Sequence, residues 1–166
     1  DKKDCKLHYI TNGLSTIRED LWQGWKQVQV MLSVDGFEKS YEWFRRKSSW
    51  EDLVIGYKKL KQIPNVKIKI NYSLTPWTIN YLQDAKDYFN EPMTVVPIMS
   101  PWHCSLGSLT LQEYSNLGLT NFGEYAKIIG SNPKGAQYLK TWANSWDMRW
   151  NTPGFAEEVH PWLGKI

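Results

Sequence analysis

The chain has 166 residues, of which 42% are hydrophobic and 22% charged, with a formal net charge of +3. This is the profile of one soluble globular domain with a real core, and it excludes a disordered tail. The basic excess is small and dispersed, with Lys58, Lys59 and Lys61 its densest group, which argues against a nucleic-acid binder; no run of about 18 apolar residues or basic-apolar leader occurs, so no membrane span is expected and the expected setting is cytoplasmic.

In chain order, Leu7 to Gly13 reads as a short strand ending in the Asn12-Gly13 turn signal, reached almost at once from Asp1. Ser15 can cap a helix to about Trp25, with Ile17, Leu21, Trp22 and Trp25 at helical spacing and Glu19 and Asp20 near its start. Next comes the most informative stretch, Val28 to Gly36. Val28, Val30, Leu32 and Val34 alternate with Gln29, Met31, Ser33 and Asp35, so the two sets point to opposite faces of a strand and Ser33 and Asp35 share one of them. Gly36 follows at the carboxyl end of that strand, where α/β sheets bind ligands.

Phe37 to Lys47 predicts a short helix, and Ser49 starts a second whose Leu53, Val54, Tyr57, Leu60 and Ile63 run to the stop at Pro64. Val66 to Tyr72 reads as a third strand, with Val66, Ile68, Ile70 and Tyr72 on one face and Lys67, Lys69, Asn71 and Ser73 on the other. Pro76 opens a helix through Ile79, Leu82, Ala85 and Phe89, and Met93 to Met99 is a fourth strand whose Pro97 restricts it to an edge or a bulge. Segments 109–118, 121–130 and 134–150 read as helices, and 151–166 reads as an irregular tail. The expected architecture is therefore α/β: strands alternate with helices as in repeated βαβ units, giving a partial parallel (β/α) barrel of about four strands over 1–108. A helical carboxyl-terminal extension over 109–166 packs on it as one compact unit. The lysine-bearing face of the third strand suits a wide polar interior over a filled one.

The two cysteines, Cys5 and Cys104, match neither a disulfide scaffold nor a C-x2-C metal pair, and both are expected to be free. His103 and Cys104 invite a metal or nucleophile reading, but no second ligand stands at suitable spacing. Ten tryptophans are present, and Trp142, Trp146 and Trp150 form one helical stripe, read as packing in preference to a base-stacking platform. Taken alone, Asp35-Gly36 fits a plain turn with a hydrogen-bonded aspartate, and Asn12-Gly13 an Asn-Gly turn.

Ile10-Thr11-Asn12-Gly13 closing one strand, Leu32-Ser33-Val34-Asp35-Gly36 closing the next, Arg45 ahead of Ser49-Trp50-Glu51-Asp52-Leu53, Ser100-Pro101-Trp102-His103 after the fourth, and Trp146-Asp147-Met148-Arg149 before Phe155, Val159, Pro161 and Leu163 form an ordered series. That series resembles the radical S-adenosylmethionine enzymes, in particular members with a twitch or SPASM-type carboxyl extension, and the likeness spans most of residues 7–163. The resemblance implies a partial barrel that binds S-adenosylmethionine on a 4Fe-4S cluster held by C-x3-C-x2-C. There the sulfonium is cleaved reductively to a 5′-deoxyadenosyl radical that abstracts hydrogen from a substrate. It implies cofactor contacts at Asn12, Ser33, Asp35, Asn71 and Ser73, and carboxylate binding by the Arg45 guanidinium fork. Thr78 stands about where relatives often carry asparagine, which weakens the transfer to Asn71 and Ser73.

No C-x3-C-x2-C occurs in this chain, and the first two barrel strands with their glycine-rich loop have no counterpart before Leu7. The resemblance therefore implies an amino-terminally truncated copy, inactive alone, with neither S-adenosylmethionine nor cluster expected on it and no catalytic or metal residues of its own. Its parent's substrate is not legible, and an exposed sheet edge is expected to promote self-association. The alternative is a small non-catalytic α/β binding or interaction domain.

Overall fold

The computed structural model describes residues 4–13, 20, 22–119 and 123–166. Four strands, β1 (Lys6–Thr11), β2 (Gln27–Val34), β3 (Val66–Leu74) and β4 (Met93–Pro97), form one sheet in the order β1-β2-β3-β4. Every neighbouring pair is parallel. Each connection thus steps to the adjacent strand in the same direction, and right-handed crossovers then place the helices that link the strands on one face.

Burial follows that prediction. Val28, Val30, Leu32 and Val34 of β2 and Ile70, Tyr72 and Leu74 of β3 are fully buried, whereas Gln29, Met31, Ser33, Lys69, Asn71 and Ser73 on the opposite face are half-exposed and Lys67 is exposed. The apolar set lies under the crossover helices α1 (Lys39–Phe44), α2 (Trp50–Lys61) and α3 (Leu82–Phe89). α2 begins where Ser49 accepts a hydrogen bond from the Asp52 amide at 3.3 Å, and acidic Glu51 and Asp52 in its first turn oppose Lys58, Lys59 and Lys61 at its end, each set favourably placed on the helix dipole. α2 approaches the end of β1 backbone to backbone: a Cβ on Gly56 would lie 2.2 Å from the Gly13 carbonyl oxygen. α3 is preceded by a 3-10 turn at Ile79–Tyr81 and ends at Asn90, which takes the left-handed conformation that asparagine tolerates.

The helix expected from Ser15 to Trp25 lies largely outside the described residues. Its described end, 22–25, is a turn in place of the expected helix, and it puts Trp22 in the core, edge-on to Tyr9 at 5.6 Å. Pro97 is the last residue of β4, and β4 is an edge strand, as its missing amide requires.

After β4 the chain is helical. α4 (Leu111–Leu117) carries a capping box, in which Thr110 accepts from the Glu113 amide and Glu113 accepts from the Thr110 amide at 2.8 Å. α5 (Ala136–Arg149) and α6 (Phe155–Val159) follow. Two expectations are corrected. The helix read over 121–130 is a 3-10 helix at Gly123–Ile128 in its described part, set between left-handed glycines at 118 and 130. The supposed irregular tail contains α6 and a 3-10 helix at Pro161–Lys165, and buries Ala156, Val159, Trp162 and Leu163 in the main core.

Among the described residues no helix is long and apolar enough to cross a membrane.

Candidate functional site at the carboxyl ends of the strands

Parallel register carries the alternation of β2 across the sheet. Ser33 pairs with Asn71, and Asn71 with Thr94, so three polar side chains line one row on the open face. Asn12 continues β1 one position beyond the Thr11–Leu32 pair, at the level of that row. Ser73 pairs with Val96 in the next row, and Asp35 follows Val34, the last paired residue of β2, toward the same row. The face that sequence alternation assigns to Ser33, Asp35, Asn71 and Ser73 is therefore shared, at the end of the sheet where parallel strands present their loops.

Asp35 and Arg45 meet directly. Arg45 Nε donates to Asp35 Oδ2 at 2.5 Å, with side-chain exposures of 27% and 11%, so water reaches the guanidinium more than the carboxylate. The pair is assembled by the turn between β2 and α1. Gly36 adopts φ +118°, and a Cβ there would stand 2.6 Å from Ser40 Oγ and 2.9 Å from the Tyr41 amide nitrogen, so only glycine fits. Tyr41 packs beneath the pair. Burial raises its phenol to about 12, with Arg45 pulling it down and Asp35 pushing it up.

Cys104 sits buried within electrostatic reach of Asp35, and burial first, then that carboxylate, push its thiol up to about 12. Its burial and protonated state at neutral pH make it a poor nucleophile. His103 is held below the usual imidazole range by burial and stacks on Trp142 at 4.2 Å and 11°. Among the described residues no group of three His, Cys, Asp or Glu could hold a metal ion. Thr78 is fully buried and closes the turn after β3: its hydroxyl donates to the Ser73 carbonyl at 2.7 Å and accepts from the Thr75 amide at 2.9 Å.

One buried carboxylate of the helical extension bonds to α1 and the turn that follows it. Asp147, 1% exposed, accepts from Trp43 Nε1 at 2.9 Å, Arg46 Nη2 at 2.7 Å and the Ala156 amide at 2.6 Å. Around it lie Trp43, Trp77, Trp142, Trp146, Trp150 and Trp162 in continuous ring contact, so the predicted stripe on α5 is a packing surface.

Sequence inspection missed Thr94, whose place beside Asn71 depends on strand register, and the Arg46–Asp147 pair, whose members lie 101 positions apart. The signal for Thr94 was available in the alternation of Thr94 and Val96 on β4. Nothing local marks the second. No protein-family model, curated protein or solved structure matches this chain.

Proposed function

We propose that this chain is a portion of a radical S-adenosylmethionine enzyme, a partial (β/α) barrel whose strand ends supply one side of the S-adenosylmethionine cleft. One observation carries the reading: an ordered Ser33–Asn71 row on the open face of a singly wound parallel sheet, beside a partly accessible Asp35–Arg45 ion pair. A zwitterionic amino-acid group can exchange with that pair, its carboxylate taking the Arg45 fork and its ammonium taking Asp35. Ser33, Asn71 and Asn12 offer hydroxyl and amide groups to ribose.

The residues present do not fit the iron-sulfur cluster. Its thiolate ligands would have to be Cys5 and Cys104, of which one is exposed before β1 and the other is buried and protonated. This chain therefore contributes binding and orientation, and the reductive cleavage and hydrogen abstraction belong to a fuller parent.

The test is equilibrium dialysis of S-adenosylmethionine against the chain, its Asp35→Asn form and its Arg45→Lys form. The resemblance alone implied no S-adenosylmethionine on this chain, but the Asp35–Arg45 pair and the Ser33–Asn71 row support weak, saturable binding at millimolar ligand that both substitutions reduce. Absence of binding at millimolar ligand, or equal binding by all three, would sink the proposal.

The outer strand carries an expectation that this reading shares with the alternative, a small interaction domain. β1 is an edge with Ile10 68% and Tyr9 42% exposed, a template for pairing with another copy. Sedimentation velocity over a range of concentrations is expected to reveal a dimer that Tyr9→Lys disperses. A monomer at every concentration would refute it.

A further inference from the structure

A cavity of about 240 Å³ opens where segments distant in sequence meet. The turn from β3 into α3 brings Trp77 and Asn80 to it, the end of α4 brings Leu117 and Leu119, and the 3-10 helix at Pro161–Lys165 brings Trp162 and Lys165. Its size falls just under the range of about 300 to 1,000 Å³ in which drug-sized ligands bind, which leaves room for a single-ring molecule. None of its residues belongs to the strand-end row or to the Asp35–Arg45 pair.

The walls are apolar. Trp77, Leu117, Leu119 and Trp162 are all buried, and the two indoles lie 5.1 Å apart at 35°. Trp77 donates its N–H to the His103 carbonyl, and Tyr81, which also lines the cavity, donates its hydroxyl to the Val159 carbonyl, so both polar groups are satisfied within the protein. The rim is different. Asn80 and Lys165 are exposed, and they donate to the carbonyls of Gly118 and Leu117 respectively, each at 3.4 Å. Those acceptors are consecutive residues at the end of α4, so an ammonium and an amide converge on one spot. An ammonium has three protons to give and an amide two, so both can meet a ligand without releasing the helix carbonyls.

Among the described residues no Asp or Glu lines the cavity, and Lys165 has no ion-pair partner. A cationic ligand would be repelled by Lys165, and a neutral one would leave its charge unused. An ammonium and an amide over an apolar floor complement a carboxylate carried on a flat apolar body. We propose that this cavity binds a small aromatic carboxylate, its ring against the Trp77 and Trp162 indoles and its carboxylate held by Lys165 Nζ and Asn80 Nδ2. The site does not depend on S-adenosylmethionine binding at the strand ends, so the two proposals fail separately.

The experiment is a nuclear magnetic resonance titration of the isotope-labelled 166-residue chain with phenylacetate and with its neutral analogue phenylacetamide, followed at the indole N–H signals. Saturable shifts at Trp77 or Trp162 are expected, with phenylacetate bound about fivefold to tenfold more tightly than phenylacetamide. Lys165→Met, a change at an exposed position, should abolish that preference and leave phenylacetamide binding unchanged. Asn80→Asp, which sets a second carboxylate against the ligand's own, should weaken phenylacetate alone. No saturable shift at millimolar phenylacetate, shifts confined to other indoles, equal affinity for acid and amide, or a preference that survives Lys165→Met overturns the proposal.

Discussion

Lowering the pH should destabilise this protein through His160 before its carboxylates titrate. The ring is 1% exposed, lies 4.6 Å from Trp43 and 5.4 Å from Trp77, and neither of its nitrogens has a hydrogen-bond partner. Burial lowers its pKa from 6.5 to about 3. The unfolded chain therefore takes up a proton near 6.5 while the folded chain refuses it until about 3. Stability is complete above the unfolded value and is lost as pH falls toward the folded one, at up to about 1.4 kcal/mol per pH unit. Between about pH 7.5 and about pH 5 the loss is about 2 kcal/mol. Half-buried His103 shifts in the same direction, so the measurement must be a difference. Urea unfolding of wild type and His160→Phe at both pH values provides it. A phenyl ring suits the aromatic surroundings and removes two buried unpaired nitrogens, so the variant should match or exceed wild type near neutrality and lose about 2 kcal/mol less on acidification. Identical pH slopes for the two proteins would refute this reasoning.

Four further outcomes are expected. Asp147→Ala leaves Arg46, with 7% side-chain exposure, without its anion, and should lower stability by about 3–5 kcal/mol in denaturant titration, whereas Met148→Ala on the same helix, 70% exposed, should be near neutral. Gly56→Ala forces a methyl group against the Gly13 carbonyl and should cost about 1–3 kcal/mol, read as a shift in unfolding midpoint at constant slope. Glu113→Ala removes the capping box of α4 and the acceptor of the Ala136 amide at 3.0 Å, for a loss of about 1–2 kcal/mol. Thiol labelling under native conditions at mildly alkaline pH should modify exposed Cys5 and spare Cys104, with both modified in denaturant; rapid native labelling of Cys104 would contradict its burial.

The sheet was legible because its signal is local. Strict alternation in β2 and β3 marks two faces, and the capped, dipole-matched run from Ser49 to Lys61 marks α2. Alternation puts Ser33 and Asn71 each on the polar face of its own strand, and that the two stand side by side is a property of register. The resemblance implies separate ligand contacts for Asp35 and Arg45, whereas in the structure each is first the other's partner. The errors fall where local signals are weak. Gly123 at φ +42° and the left-handed glycines on either side break what apolar spacing alone would make an α-helix over 121–130. In 151–166 the prolines and glycine masked an apolar set at 156, 159, 162 and 163, whose i, i+3 steps are too few to show periodicity but enough to bury four side chains.

The arrangement around Asp147 also orders events in time. The sheet is built from neighbours in sequence, whereas the bonds from Trp43 and Arg46 to Asp147 close loops of 104 and 101 residues. Long closures are entropically late and become favourable only once their end points are held by other structure. The β-α layer is thus the template and the extension its last piece to dock, so mutations at Asp147 or Trp43 should act mainly on how fast the finished protein comes apart and leave the assembly of the sheet nearly unchanged.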